Sequence, residues 1–147
     1  MRYFLILYLS ILNSCGFLQT TNNRELEIIV EVFENRWGKK VTVPIKFSPV
    51  RFPARVAAMC TGFRAPRFMR LILIDEYYWE QIDYWRKEMI VFHELGHCEL
   101  DLDHDNGITT EKFYSRPLSI MYEDVIPDYF FYREEYIAEL FTRKSTL

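Results

Sequence analysis

The chain has 147 residues, half of them apolar, and a formal net charge of −3. That is room for one compact domain with a real hydrophobic core. The basic residues are dispersed over a mildly acidic chain, so no extended positive surface exists for phosphate backbones, and nucleic acid is excluded as an expected partner.

Met1-Arg2 precedes an apolar run from Tyr3 to Leu12. The run falls short of the roughly 20 residues that a membrane span needs. It matches instead the charged start and short apolar centre of a secretory signal. Leu12-Asn13-Ser14-Cys15 has the form of a bacterial lipobox, with Asn13 larger than the small residue usual there. Residues 1–14 are therefore expected to be a lipoprotein-type signal peptide, with Cys15 carrying a lipid. Residues 15–23 then form a polar tether to the cell envelope, ahead of a folded domain over 24–147. A buried apolar first helix is the competing reading. Once Cys15 is lipidated, Cys60 and Cys98 remain. They either pair in an oxidising compartment or stay as two buried thiols.

Along the mature chain, Leu26, Ile29, Val30, Phe33 and Trp37 recur at three- and four-residue intervals, and Gly38 offers a stop, so the spacing predicts a helix over 24–37. Val41, Val43, Ile45 and Phe47 alternate with more polar residues, as in a strand, and Pro44 pushes that strand to a sheet edge. Residues 50–67, interrupted by Pro53, Gly62 and Pro66, read as loop with a short strand around Val56 to Cys60. Leu71 to Ile74 suits a buried strand, and Asp75 caps a turn of helix running through Trp79 to Ile82. From Trp85 a longer helix is predicted, with Met89, Phe92, Gly96 and Leu100 on one flank. A polar stretch from Asp101 to Glu111 and an aperiodic one from Pro117 to Asp128 follow. Tyr132 to Arg143 is again amphipathic, with Tyr136, Ile137, Leu140 and Phe141 on its buried side. The fold class expected is α+β, with a small mixed sheet and a central helix.

That central helix carries His93-Glu94-Leu95-Gly96-His97, an HExxH motif. Residues four apart lie on one helix face, so two imidazoles can converge on one zinc ion. Glu94 between them is placed to act as general base on a zinc-activated water and as acid toward a leaving amine. All three histidines of the protein fall between positions 93 and 104. A catalytic zinc needs a third protein ligand and one open position. Were the helix to continue, His104 would lie about 10 Å further along its axis. The chain must therefore turn back, and Asp101 and Asp103 suit that because Asp tolerates the left-handed conformation.

The segment from His93 to His104, followed by Ser119-Ile120-Met121-Tyr122, resembles the metzincin clan of zinc peptidases. It is similar more narrowly to a group of small bacterial metallopeptidases, often lipoproteins, that share a HELGHC segment, a later histidine and a SIM segment. The resemblance spans about Leu71 to Phe141. It implies a compact zincin domain with a methionine turn, in which Met121 forms a floor beneath the histidines. The narrower group points to His104 as third ligand, and the standard metzincin position is Asp103; His104 is preferred. Two positions depart from the pattern: metzincins have Gly where this chain has Leu100, and the narrower group has Gly where it has Asp101. Tyr122 follows the methionine by one position where the oxyanion-binding tyrosine of some metzincins follows by two, and a packing role is expected for it.

The function expected is hydrolysis of peptide bonds in a peptide or protein substrate by a monomeric, envelope-anchored zinc metalloendopeptidase. Its cleft should run along a sheet edge where an extended peptide can add as a strand. Two rivals stand beside this reading. One takes its third zinc ligand from Glu135 or Glu139 on the last helix, as gluzincins do. The other is a non-catalytic envelope lipoprotein that uses zinc for stability or partner binding.

Overall fold

A computed structural model describes residues 23–111 and 114–143. The expected signal peptide, the lipid-bearing Cys15 and the tether up to residue 22 lie outside the described residues. Helix α1 covers Arg24–Trp37. Asn23 caps it, its side-chain oxygen accepting from the N–H groups of Glu25 and Leu26 at 3.0 and 3.1 Å. Gly38 ends it at φ 75°, a left-handed conformation, and returns its N–H to Glu34 O. Leu26, Ile29, Val30 and Phe33 form the buried stripe, as the spacing predicts.

Three short strands form a mixed sheet: β1 at Ile45–Ser48, β2 at Ala58–Thr61 and β3 at Leu71–Asp75. Their order is β1-β3-β2, with β1 parallel and β2 antiparallel to β3. β1 begins only after Pro44, whose missing N–H is tolerated on an edge. Central β3 buries Ile72 and Ile74 and ends in Asp75. That carboxylate caps the short helix α2, Glu76–Trp79, through Tyr78 N–H at 2.9 Å, and accepts Phe52 N–H at 2.8 Å.

Helix α3, Tyr84–Cys98, starts at Asp83, whose side chain accepts Arg86 N–H. It packs on β2 and β3 and also meets α1 and the last helix α4, Tyr129–Thr142. Phe33 is the hub of the three-helix contact, with its ring 5.1 Å edge-to-face from Phe92 of α3 and 5.1 Å from Phe141 of α4. Being enclosed on several sides, α3 buries even charged residues, and each is paired. Glu88 accepts from Arg133 and from the Tyr129 hydroxyl. Glu99, just past the helix end, accepts the N–H groups of Thr42 and Val43.

Between α3 and α4 lies a hairpin absent from the sequence reading: β4, Ile108–Glu111, and β5, Tyr114–Pro117, with Thr109 opposite Arg116. Polar and exposed residues occupy both faces, so no two-residue apolar alternation signals it. The α+β class expected is the one found. Among the described residues, no helix is long and apolar enough to cross a membrane.

Candidate metal centre

Helix α3 presents His93 and His97 one turn apart. His93 Nδ1 lies 2.8 Å from Ile120 O, and His97 Nδ1 lies 2.6 Å from Leu102 O. A carbonyl only accepts, so each Nδ1 carries the proton and each Nε2 carries a bare lone pair. These two Nε2 atoms nonetheless face each other at 3.1 Å.

His104 joins them because the chain reverses at the end of α3. Asp101 takes φ 58°, and Leu102 N–H then returns to Gly96 O at 3.0 Å. Asp101 is held by Arg70, which is almost fully buried and also donates to Cys98 O and Ala65 O. Asp105 N–H bonds Met121 O at 2.9 Å, tying the returning segment to the methionine turn. His104 Nε2 arrives 3.2 Å from His93 Nε2, and the ligand atoms of the three histidines all lie within 4.8 Å of one another. Tetrahedral zinc with bonds of 2.0–2.1 Å separates its nitrogen ligands by about 3.3 Å, so the cluster has the size and chemistry for one such cation.

Asp103, the alternative ligand from the sequence, bonds Arg64 at 2.8 Å; it lines the same cleft but does not belong to the converging set. Glu135 pairs with Arg116, and Glu139 accepts from Ser119 and Arg143. Neither lines the cleft, so a third ligand from α4 does not fit this fold: the hairpin and the methionine turn engage both carboxylates.

His97 and Glu94 are buried and His93 is half-buried, whereas His104 is exposed. Burial pushes His93 down to about 3, helped by the neighbouring His97 and opposed by the Ile120 carbonyl. His97 is also lowered, first by burial. Both imidazoles are thus kept neutral, the form that binds metal. Glu94, only 7% exposed, has its pKa raised to about 7 by burial, against the opposing hydrogen bond from Cys60 N–H. Phe63 packs over the His97 ring with centroids 5.1 Å apart.

Beneath the histidines, Met121 is fully buried. Its turn is closed by its own N–H on Ser119 Oγ at 3.0 Å and by Tyr122 N–H on Ser119 O at 3.2 Å. Gly96 is what admits it to the helix: a Cβ there would stand 2.3 Å from Met121 Sδ. The site opens into a cleft of about 420 Å³, lined among others by Ala58 to Cys60 of β2, Met89 and Ile90 of α3, and Ile120, Tyr122 and Val125.

The family model described as "Putative phage metallopeptidase" matches residues 17–139. The chain belongs to that family. Neither curated proteins nor solved structures give a match. Membership of a metallopeptidase family accounts for a metal-sized histidine cluster in a cleft, and a peptidase acts on peptide or protein substrates.

Two parts of this metallopeptidase site were invisible in the sequence. The carbonyls of Leu102 and Ile120, which set the imidazole tautomers, are main-chain groups with no residue signature. Cys60 and Cys98, left open as paired or free, form a disulfide with Cα atoms 5.7 Å apart. The only hint of it was that two cysteines remain for an oxidising compartment.

Proposed function

We propose that the chain is a zinc-dependent metalloendopeptidase of the metzincin type, with His93, His97 and His104 as ligands and Glu94 as general base. The observation that carries this reading is the pair of unprotonated Nε2 atoms of His93 and His97 held 3.1 Å apart with His104 beside them. Their lone pairs repel unless a cation lies between them. Zinc bound there supplies a Lewis acid that polarises a carbonyl and makes water acidic. Three protein ligands leave one position open, as catalytic rather than structural sites do.

The protein's own residues do the rest. Glu94 takes a proton from the attacking water and returns it to the leaving amine, and burial holds its pKa near the working range of a base. The peptide adds to the open edge of β2. Ile72 gives its N–H to Pro44 O on the β1 side, so the facing pairs Cys60↔Ile72 and Ala58↔Ile74 exchange no bonds. The N–H and C=O of Ala58 are thereby left to pair with an extended substrate. Met89, Ile90 and Val125 offer an apolar wall to a substrate side chain.

We infer further that the chain is exported, anchored through a lipid on Cys15 and active as a monomer in the bacterial cell envelope. The Cys60–Cys98 bond supports this, because such bonds persist in oxidising compartments.

The test is zinc content and peptide-library cleavage by the soluble chain starting after Cys15, beside Glu94→Gln. About one zinc per chain is expected in both, with cleavage in the variant reduced by at least roughly 100-fold. Zinc retained without cleavage by the unaltered chain would instead indicate the non-catalytic envelope protein, and no zinc at all would overturn the reading.

A further inference from the structure

Of the three histidines, His104 is the one that no helix holds. His93 and His97 stand on α3, each with its Nδ1 against a carbonyl. His104 is exposed and lies on the non-helical segment that returns from Asp101. Among the described residues no carbonyl meets its Nδ1. Its place therefore depends on what fixes its neighbour in the chain. Asp105 gives its N–H to Met121 O at 2.9 Å and takes Gly107 N–H on Oδ1 at 2.9 Å. The other carboxylate oxygen, Oδ2, lies 3.1 Å from Nη1 of Arg143, the residue that caps the end of α4.

The same Nη1 donates to Ser119 Oγ at 2.8 Å and to Glu139 Oε1 at 3.1 Å. Ser119 is buried, and its hydroxyl is fully used: it donates to Glu139 Oε2 at 3.0 Å and accepts from Arg143 and from Met121 N–H. Ser119 precedes Ile120, whose carbonyl orients His93. One cation at the end of α4 thus joins the residue after His104 to the turn that sets His93. Glu139, one helical turn before Arg143, aims it.

We propose that Arg143, aimed by Glu139, is a positioning residue for the metal centre: it clamps Asp105 to the methionine turn and so holds His104 against the two helical histidines. This rests on the reading of His104 as the third zinc ligand. Without the clamp, Asp105 keeps its backbone bond to Met121 but loses its ion pair, and the neighbouring imidazole is no longer preorganised. Ordering it then opposes metal binding. The anchors of His93 and His97 on Ile120 O and Leu102 O do not involve the guanidinium.

The experiment measures zinc affinity of the full chain, by competition with a chromophoric chelator, in a double-mutant cycle of Arg143→Met and His104→Ala. Methionine keeps an unbranched apolar stem and removes the cation. Arg143→Met alone is expected to weaken zinc binding by about 10- to 100-fold, the range for an outer partner of a ligand. In His104→Ala no third imidazole remains to be placed, and there the same substitution should change affinity by less than about threefold. Arg143→Lys should recover most of the loss, because the contacts to Asp105, Ser119 and Glu139 all come from one nitrogen and an ammonium carries three donors. An equal fall in both backgrounds marks a merely structural residue and overturns the proposal, as does unchanged affinity in Arg143→Met. Where Arg143→Met does not fold, Asp105→Asn replaces it in the cycle, since Asn keeps an oxygen for Gly107 N–H and loses the ion pair. If His104→Ala binds zinc as tightly as wild type, the ligand reading fails and the proposal with it. Failure of the clamp alone looks different: His104→Ala weakens zinc binding and the two losses add.

Discussion

Leu102 O accepts the Nδ1 proton of His97 at 2.6 Å, while Leu102 N–H reaches back to Gly96 O at 3.0 Å. One residue thus closes the helix, orients the second imidazole and starts the turn that delivers His104. The site and the reversal after α3 are a single unit.

The reversal depends on Asp101, at φ 58° and paired with Arg70. Asp101→Ala keeps the strained conformation and leaves a buried guanidinium without its carboxylate. It should lower stability by about 3–5 kcal/mol and weaken zinc binding. Asp101→Gly removes the backbone strain, worth about 1 kcal/mol, but not the charge defect, and should fall between wild type and Asp101→Ala. Denaturant melts of the three proteins check this order.

His104 and Asp103 are neighbours with different fates. His104→Ala removes the proposed third ligand and should reduce zinc affinity by more than about 100-fold, beyond what loss of an outer partner does. Asp103→Ala releases Arg64 from a bond on the cleft rim and should change affinity by less than about tenfold. Competition with a chromophoric chelator measures both; the reverse ranking would make Asp103 the ligand.

Gly96 is needed for closeness, not for backbone freedom. In Gly96→Ala the new methyl meets Met121 Sδ at 2.3 Å and Leu140 Cδ1 at 3.3 Å. Overpacking costs about 1–3 kcal/mol, and alanine's better helix propensity offsets roughly 1 kcal/mol of it. Net destabilisation is expected in wild type. In a Met121→Ala background, where only the 3.3 Å approach to the flexible end of Leu140 remains, the same substitution should stabilise. Urea midpoints of the four proteins show whether the sign changes.

Glu94 and His93 act in opposite directions on the pH dependence of the metal-free protein. Burial raises Glu94 from 4.5 to about 7, so its stabilising contribution is complete below pH 4.5 and is lost as pH rises through 7. Burial lowers His93 from 6.5 to about 3, so its contribution is complete above pH 6.5 and is lost as pH falls toward 3. Glu94→Gln removes the first effect alone. The chelator-treated variant should be more stable than wild type at about pH 8, by on the order of 1–3 kcal/mol. Its stability should also climb more steeply between pH 4.5 and 6.5. Equal stabilities at the alkaline end would show that Glu94 is not held in a desolvated site.

Much of the scaffold was legible in the residues. Helix α1 is legible to its last residue because apolar spacing of three and four residues and a stopping Gly are local signals. β3 and the Asp75 cap were read for the same reason. The β4–β5 hairpin was not, since its residues are held by pairing with each other and bury no apolar face of their own.

For the site, His93, Glu94 and His97 needed only helix periodicity, which is a local property of consecutive residues. That the chain had to reverse beyond them followed from axial rise alone. Which residue the reversal delivers was a tertiary decision. It rests on Arg70, immediately before β3, holding Asp101, and on Met121 O fixing Asp105. The same holds for the tautomers set by Ile120 and Leu102 and for the Cys60–Cys98 bond. Periodicity is carried by neighbours in the chain, so the sequence determined the helix and its two histidines. Convergence of groups far apart in the chain, such as Cys60 and Cys98 at a separation of 38, depends on how strands and turns stack, and only the folded chain decides it.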